Sequence, residues 1–421
     1  MKKLLIFQII LLQLLFTSCN TPKNQAYNGA IENESASEEN VITNSENLTE
    51  STESNRRKSI ADTYREYMKE NSMELDIDNM SIAELMELEK YNTYLIGEQH
   101  GISSNKDIKV AFTKYLNQNY DVRYVIEEMG YCDTILLNEF LKTGDKNLII
   151  EYINNNEKSL RYTNETYDYY MELYEYNQNF PEDEQIVLVG IDVQHNWQKG
   201  LEIISDLGDN EKEMPELVKN VIEIISSVNP TIDEITLAMD VVDSNPDIFK
   251  EYYQNDYVDF YFGLRSIYQC YNFYNTQNYS LREKYLSENF KDMYAEFKID
   301  KCFGMLGEQH VWLNHGSGQY KGLANYLNTE FEPTKNNVIS INCVYNNCNY
   351  LIPSTGESAE VTNSAFGSTF SDILAENIDT DYGICFSGDL QFENKPLSDK
   401  FQYMLCVKNS QAFIIFNETA E

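Results

Sequence analysis

The sequence predicts an α/β fold: a mostly parallel central sheet flanked by helices, with a helical insertion. Three observations carry that expectation. Short apolar runs end in a polar or glycine-containing turn at Tyr94–Ile96, Tyr124–Ile126, Ile186–Val189, Cys302–Leu306 and Val338–Ile341. Runs this short fit strands buried on both faces of a parallel sheet. Longer stretches with helical spacing separate them, and the tetrapeptide Gly-Glu-Gln-His directly follows two of the runs, at 97–100 and 307–310.

The elements follow in chain order. Lys2-Lys3, an apolar stretch from Leu4 to Phe16 and then Thr17-Ser18-Cys19 describe an export signal over residues 1–18. The apolar run is too short for a comfortable membrane-spanning helix. Phe16-Thr17-Ser18-Cys19 resembles a bacterial lipobox, and that resemblance makes Cys19 the lipidated first residue of a mature protein held on the extracytoplasmic side of the cell envelope. Residues 19–57 are rich in Asn, Ser, Thr and Glu and too poor in apolar side chains to offset the entropy of ordering, so they read as a tether. A folded domain is expected over 58–421.

Within that domain, Ile108, Ala111, Phe112 and Tyr115 recur at helical spacing after the first Gly-Glu-Gln-His, and Ser104 with Asp107 forms a capping-box variant. His100 is thereby placed in a strand-to-helix loop, where ligands gather in open α/β sheets. Residues 201–297 are helical in pattern and too long for one crossover, so they read as an insertion lining or covering the cleft. Weaker strand patterns at Tyr382–Phe386, Tyr403–Val407 and Ala412–Phe416 extend the sheet at an edge.

Composition narrows the function. With 68 acidic against 32 basic residues and a net charge of −36, the surface repels phosphate backbones, which excludes nucleic acid as a partner. Anionic lipid is repelled too, so attachment to a membrane rests on the lipid at Cys19. Beyond Cys19, the cysteines Cys132, Cys270, Cys302, Cys343, Cys348, Cys385 and Cys406 show neither Cys-x-x-Cys nor zinc-site spacing. Cys343 and Cys348 are close enough in sequence to bridge, but most of the set reads as small buried hydrophobes. Walker A, dinucleotide-binding and Gly-x-Ser-x-Gly motifs are absent from the sequence.

Chemistry concentrates at the strand exits. The chain has four histidines, His100, His195, His310 and His315, and two of them end the repeated tetrapeptide. Glu98 and His100 leave one strand, Glu127 and Glu128 a second, Asp192 a third, and Glu308 and His310 a fourth. Taken singly, such an acid is more often a helix cap or a solvated residue. Gathered together, carboxylates beside an imidazole raise its basicity and fix its tautomer, as a general base near neutral pH requires.

The segment from about Asn92 to Asn314 resembles the erythromycin esterase family, within a wider group that includes ChaN-like and TraB/TIKI-like proteins. The resemblance rests on Gly97-Glu98-Gln99-His100-Gly101, on Glu127 after its strand and on Leu137–Gly144 as a helix ending in a Thr-Gly turn. It continues through Glu165, Tyr176-Asn177, Gly190-Ile191-Asp192, and Arg282 with Asn289, in the family's order. It implies a hydrolase acting on an ester or related bond of a small molecule, without a cofactor. His100 is then the base that activates water, held by Glu98 or Glu127, while Arg282 and His310 bind the carbonyl or stabilise the oxyanion. Two departures stand out: Glu98 and His100 are two rather than three residues apart, and the histidine that leads the family's second motif is missing. They open two alternatives. One is a metal-dependent hydrolase with a divalent ion on Glu98, His100, Glu127 and His310. The other is a non-enzymatic lipoprotein that binds haem or another ligand.

Overall fold

The computed structural model describes residues 61–80, 86–208, 212–317, 320–362, 368–388, 390–392 and 395–417. The export signal, Cys19 and the tether lie outside them. Eight strands form the central sheet: β1 (Ser72–Glu74), β2 (Thr93–Glu98), β3 (Tyr124–Gly130), β4 (Val187–Asp192), β5 (Cys302–Gly307), β6 (Val338–Asn346), β7 (Tyr382–Phe386) and β8 (Tyr403–Lys408). Their order across the sheet is β1-β7-β8-β6-β2-β5-β3-β4. Every neighbouring pair from β8 to β4 is parallel, and β7 runs against both β8 and β1. The fold is α/β with a largely parallel sheet, and the patterns at 382–386 and 403–407 do extend it on one side, where β1 is the outermost strand. The pattern at 412–416 does not. That segment makes only isolated bridges, Ile102 with Ala412 and Thr163 with Ile415, and straps the loops after β2 and before Asn164 instead of joining the sheet.

Alternation of side chains divides the sheet into two packed faces. Tyr94, Ile96, Val125, Phe303, Met305, Ile339 and Ile341 enter one core. It is covered by α1 (Ser104–Tyr120), α2 (Tyr131–Thr143), α3 (Lys146–Asn155) and α4 (Asn164–Asn177). Leu95, Ile126, Val189, Ile191, Leu306 and Val344 enter the other. Because both faces are buried, the strands read as continuous apolar runs. Helix α1 begins differently from expectation. Its N-cap is Ser103, whose side chain makes no capping bond, and the hydroxyl of Ser104 bonds Ser410 Oγ at 2.7 Å. The capping function has been exchanged for a tie to the chain beyond β8.

Between β4 and β5 the chain runs through α5 (Trp197–Ser205), α6 (Glu216–Ile225), α7 (Ile232–Ser244), α8 (Pro246–Tyr253), α9 (Tyr257–Thr276) and α10 (Tyr279–Glu296). Helices α5 to α9 build a core of their own from Ile204, Val221, Ile235, Phe249, Phe260 and Leu264, which also takes in Cys132 of α2. Helix α10 instead packs on β4. Two helical turns separate Arg282 from Asn289, so both face the strand, and Asn289 Nδ2 donates to the Ile191 carbonyl at 2.8 Å. Cys132, Cys270, Cys302, Cys343, Cys348, Cys385 and Cys406 are all buried free thiols, so Cys343 and Cys348 do not bridge.

The repeated tetrapeptide has a packing origin. Its two copies lie side by side, with Gly97 in register with Leu306 and Glu98 with Gly307. A Cβ on Gly97 would stand 2.5 Å from Val311 Cγ2 and 3.0 Å from the Glu308 main chain; one on Gly307 would stand 3.0 Å from His100 Nε2. Each glycine makes room for the exit of the other strand. Gly97→Ala is therefore expected to destabilise the fold by about 1–3 kcal/mol, read as a lowered urea midpoint with an unchanged m-value.

Candidate active site

The parallel strands deliver their carboxyl ends to one edge of the sheet, and there Glu128 is the hub. Its Oε1 accepts a hydrogen bond from Arg282 Nη2 at 2.8 Å and lies 3.2 Å from His310 Nε2. Its Oε2 accepts from the Gly307 main-chain N–H at 2.8 Å and lies 3.8 Å from His100 Nε2. One carboxylate thus meets both histidines of the repeat and the arginine of α10. Burial alone would push the Glu128 carboxyl up, but His310, Arg282 and His100 together hold it well below the usual range.

The flanking groups continue the alternation of charge. Arg282 Nε donates to Asp192 Oδ1 at 2.9 Å, and its Nη2 also donates to Asp192 Oδ2. Burial would raise the Asp192 carboxyl, yet Arg282 and His195 draw it far below normal. His310 Nδ1 lies 2.7 Å from Glu283 Oε1 in an ionic contact whose geometry falls short of an aligned hydrogen bond. Burial disfavours the His310 cation, but Glu283 and Glu128 overcome it and hold the pKa well above the ordinary value. His100 is oriented by Glu98, whose Oε1 stands 2.6 Å from Nδ1. A carboxylate there requires Nδ1 to carry the hydrogen and turns Nε2 toward Glu128.

Of the residues singled out in the sequence, Glu98, His100, Arg282 and His310 come together at this edge. Glu127 does not join them. Successive strand residues point to opposite faces, so Glu127 turns under the sheet, where its Oε2 meets Lys109 Nζ at 2.7 Å and its Oε1 accepts from the Tyr169 hydroxyl at 3.4 Å. Glu128 takes the place expected for it, beside a register shift in the β3–β4 pairing. The ligand set Glu98, His100, Glu127 and His310 does not converge for the same reason. Among the described residues no three His, Cys, Asp or Glu side chains are grouped as a metal ion needs. Sequence reasoning also missed Glu283, which nothing in the chain marks except its place beside Arg282. A further arrangement lies behind Asp192: His195 Nδ1 is 2.6 Å from the Tyr274 hydroxyl, and His195 Nε2 is 3.5 Å from Asp192 Oδ2.

Glu308, the acid of the second repeat, faces a different environment. Burial pushes its carboxyl up to about 7, against weaker opposing pulls from Asn342, His100 and Lys400. A surface hollow lined by Lys291, Tyr294, Phe331 and Pro333 lies at the other, amino-terminal edge of the sheet and takes no part in this site.

No family model and no curated protein matches the chain. Solved structures do share its fold. A Bacillus cereus protein superposes with a TM-score of 0.64 at 15% identity, over 85% of this chain and 99% of that one. A succinoglycan biosynthesis protein gives 0.65 at 16%, with the same coverage. A mutant of the erythromycin esterase EreC, in its open conformation, gives 0.59 at 12%, over 83% of this chain and 100% of that one. The chain therefore shares the α/β fold of these three proteins. At these identities the likeness is one of fold alone.

Glu308→Gln tests the buried acid. An unfolded carboxyl loses its proton near pH 4.5 and the folded one near 7, so the stability of the wild type falls as pH rises through that window. The variant lacks this loss. Thermal melts should show it gaining about 1–3 kcal/mol relative to wild type between pH 4 and pH 8, with the gain complete above pH 7.

Proposed function

We propose that this chain is a hydrolase that cleaves an ester or a related bond of a small molecule with water activated by His100. The observation that supports this most is the clamping of His100. Glu98 fixes the ring at 2.6 Å, and Nε2 stands 3.8 Å from Glu128 Oε2. That separation is too long for a direct bond, but one water can hydrogen-bond both atoms at once.

In this reading Nε2 takes a proton from that water as the hydroxide oxygen bonds the carbonyl carbon and the carbonyl π electrons move to oxygen. Collapse of the tetrahedral intermediate breaks the bond to the leaving oxygen, and His100 returns the proton to it. Asp192 and Glu128 occupy Nε and Nη2 of Arg282, which leaves Nη1 as the donor for the oxyanion. His310 has a carboxylate at each nitrogen, so its part is to hold Glu128 ionised and in place. A lipid anchor at Cys19 would present this cleft outside the cytoplasmic membrane.

The test is turnover of 4-nitrophenyl esters by purified protein. His100→Ala should lower kcat by roughly 10²- to 10⁴-fold, with the melting temperature close to that of the wild type. Equal rates in the two proteins would remove His100 from the mechanism.

A further inference from the structure

We infer that Arg161 forms an anion-reading subsite beside His100, selecting substrates that carry a carboxylate or phosphate near the bond to be cut. The inference builds on the hydrolase reading and names the chemistry of its substrate.

Arg161 lies in the loop between α3 and α4, and its position there is set from two sides. Its Nη2 donates to the main-chain carbonyl of Glu128 at 2.7 Å, which puts the guanidinium within one residue of the hub. The preceding residue, Leu160, packs on the turn that carries His100: a Cβ on Gly101 would stand 3.1 Å from Leu160 Cδ2. Arg161 is densely surrounded yet keeps part of its surface open to solvent.

Its charge balance sets it apart. Arg282 is matched by Asp192 and Glu128, Lys109 by Glu127, and His310 by Glu128 and Glu283. Among the described residues no carboxylate oxygen stands within ion-pair distance of Arg161, and its hydrogen bond to a backbone carbonyl uses one donor of five. Asp133 and, more weakly, Asp192 act on it from beyond ion-pair distance. The Asp133 carboxyl is engaged by Gln194 Nε2 at 2.9 Å, and burial raises its pKa toward the neutral acid. An enclosed guanidinium with no carboxylate in direct contact has donors free for an anion, and its planar fork matches a carboxylate or phosphate.

A second observation points to the same ligand. The Tyr152 hydroxyl is buried and makes no hydrogen bond of good geometry, with only the Tyr170 side chain beside it. It neighbours Arg161, whose charge opposes the effect of burial on it. Buried hydroxyls are almost always satisfied, so this donor marks a place for an acceptor oxygen. A guanidinium and an unused hydroxyl donor together describe a site for anionic oxygen.

Two measurements on wild type, Arg161→Gln and Arg161→Lys test this. The first is calorimetric titration with succinate and, separately, with inorganic phosphate, which tells the two anion types apart. The second compares hydrolysis of 4-nitrophenyl acetate with that of mono-4-nitrophenyl succinate. Loss of hydrogen bonds to a charged group should weaken anion binding roughly 10- to 100-fold in Arg161→Gln, with Arg161→Lys between it and wild type. The preference for the anionic ester should fall by the same factor. If anion binding vanishes in Arg161→Gln while neither ester is turned over by any of the proteins, the subsite stands and the hydrolase reading falls. Undiminished anion binding in Arg161→Gln overturns the subsite. So does equal loss on both esters, or wild-type protein that binds neither anion at millimolar concentration.

Discussion

Burying the Glu128 carboxylate constrains everything around it. An ionised acid enclosed by protein is costly unless opposite charge and hydrogen bonds surround it, and breaking such a set costs about 3–5 kcal/mol. Here the compensation comes from three separate parts of the chain: Arg282 from α10, His310 and the Gly307 amide from the exit of β5, and His100 from the exit of β2. Three of these carry acids of their own, Asp192 on Arg282, Glu283 on His310 and Glu98 on His100, so basic and acidic groups alternate outward from the hub. Glu128, Arg282 and His310 are therefore rigid by electrostatic necessity, and His100 is set against a fixed wall.

That arrangement explains the helical run between β4 and β5. Helices α5 to α9 have their own core and need little from the sheet. Helix α10 is the part that returns to it, and the pairing of Asn289 with the Ile191 carbonyl fixes its height on β4. Arg282 and Glu283 then fall at the carboxyl edge, one turned to Asp192 and Glu128 and the other to His310. The strap at 411–416 acts on the opposite side. Phe413 N donates to the Gly101 carbonyl at 2.9 Å, and Ile414 N to Glu165 Oε2 at 2.9 Å, so the turn carrying His100 is tied down from outside the sheet.

The strands were legible because each is buried on both faces and bounded by a turn, a pattern that local sequence displays directly. The strands at 382–386 and 403–408 were legible for the same reason. The segment at 412–416 carries a similar apolar pattern, but its backbone partners are loops, and pattern alone does not identify a partner. Ser104 reads as a cap until Ser410, distant in sequence, competes for its hydroxyl.

What the sequence determined by itself was the place of the site. Two glycine-led exits carrying Glu and His must lie at the carboxyl edge of a parallel sheet, since strand direction follows from the α/β connections. Tertiary structure alone decided which acids serve it. Glu127 and Glu128 are adjacent and identical in type, and the pleat sends them to opposite faces, where one meets Lys109 and the other Arg282. Glu283 is unmarked in the sequence because its contact with His310 is made across a long separation in the chain. Charge compensation in a buried site is a property of neighbours in space, and local spacing does not encode it.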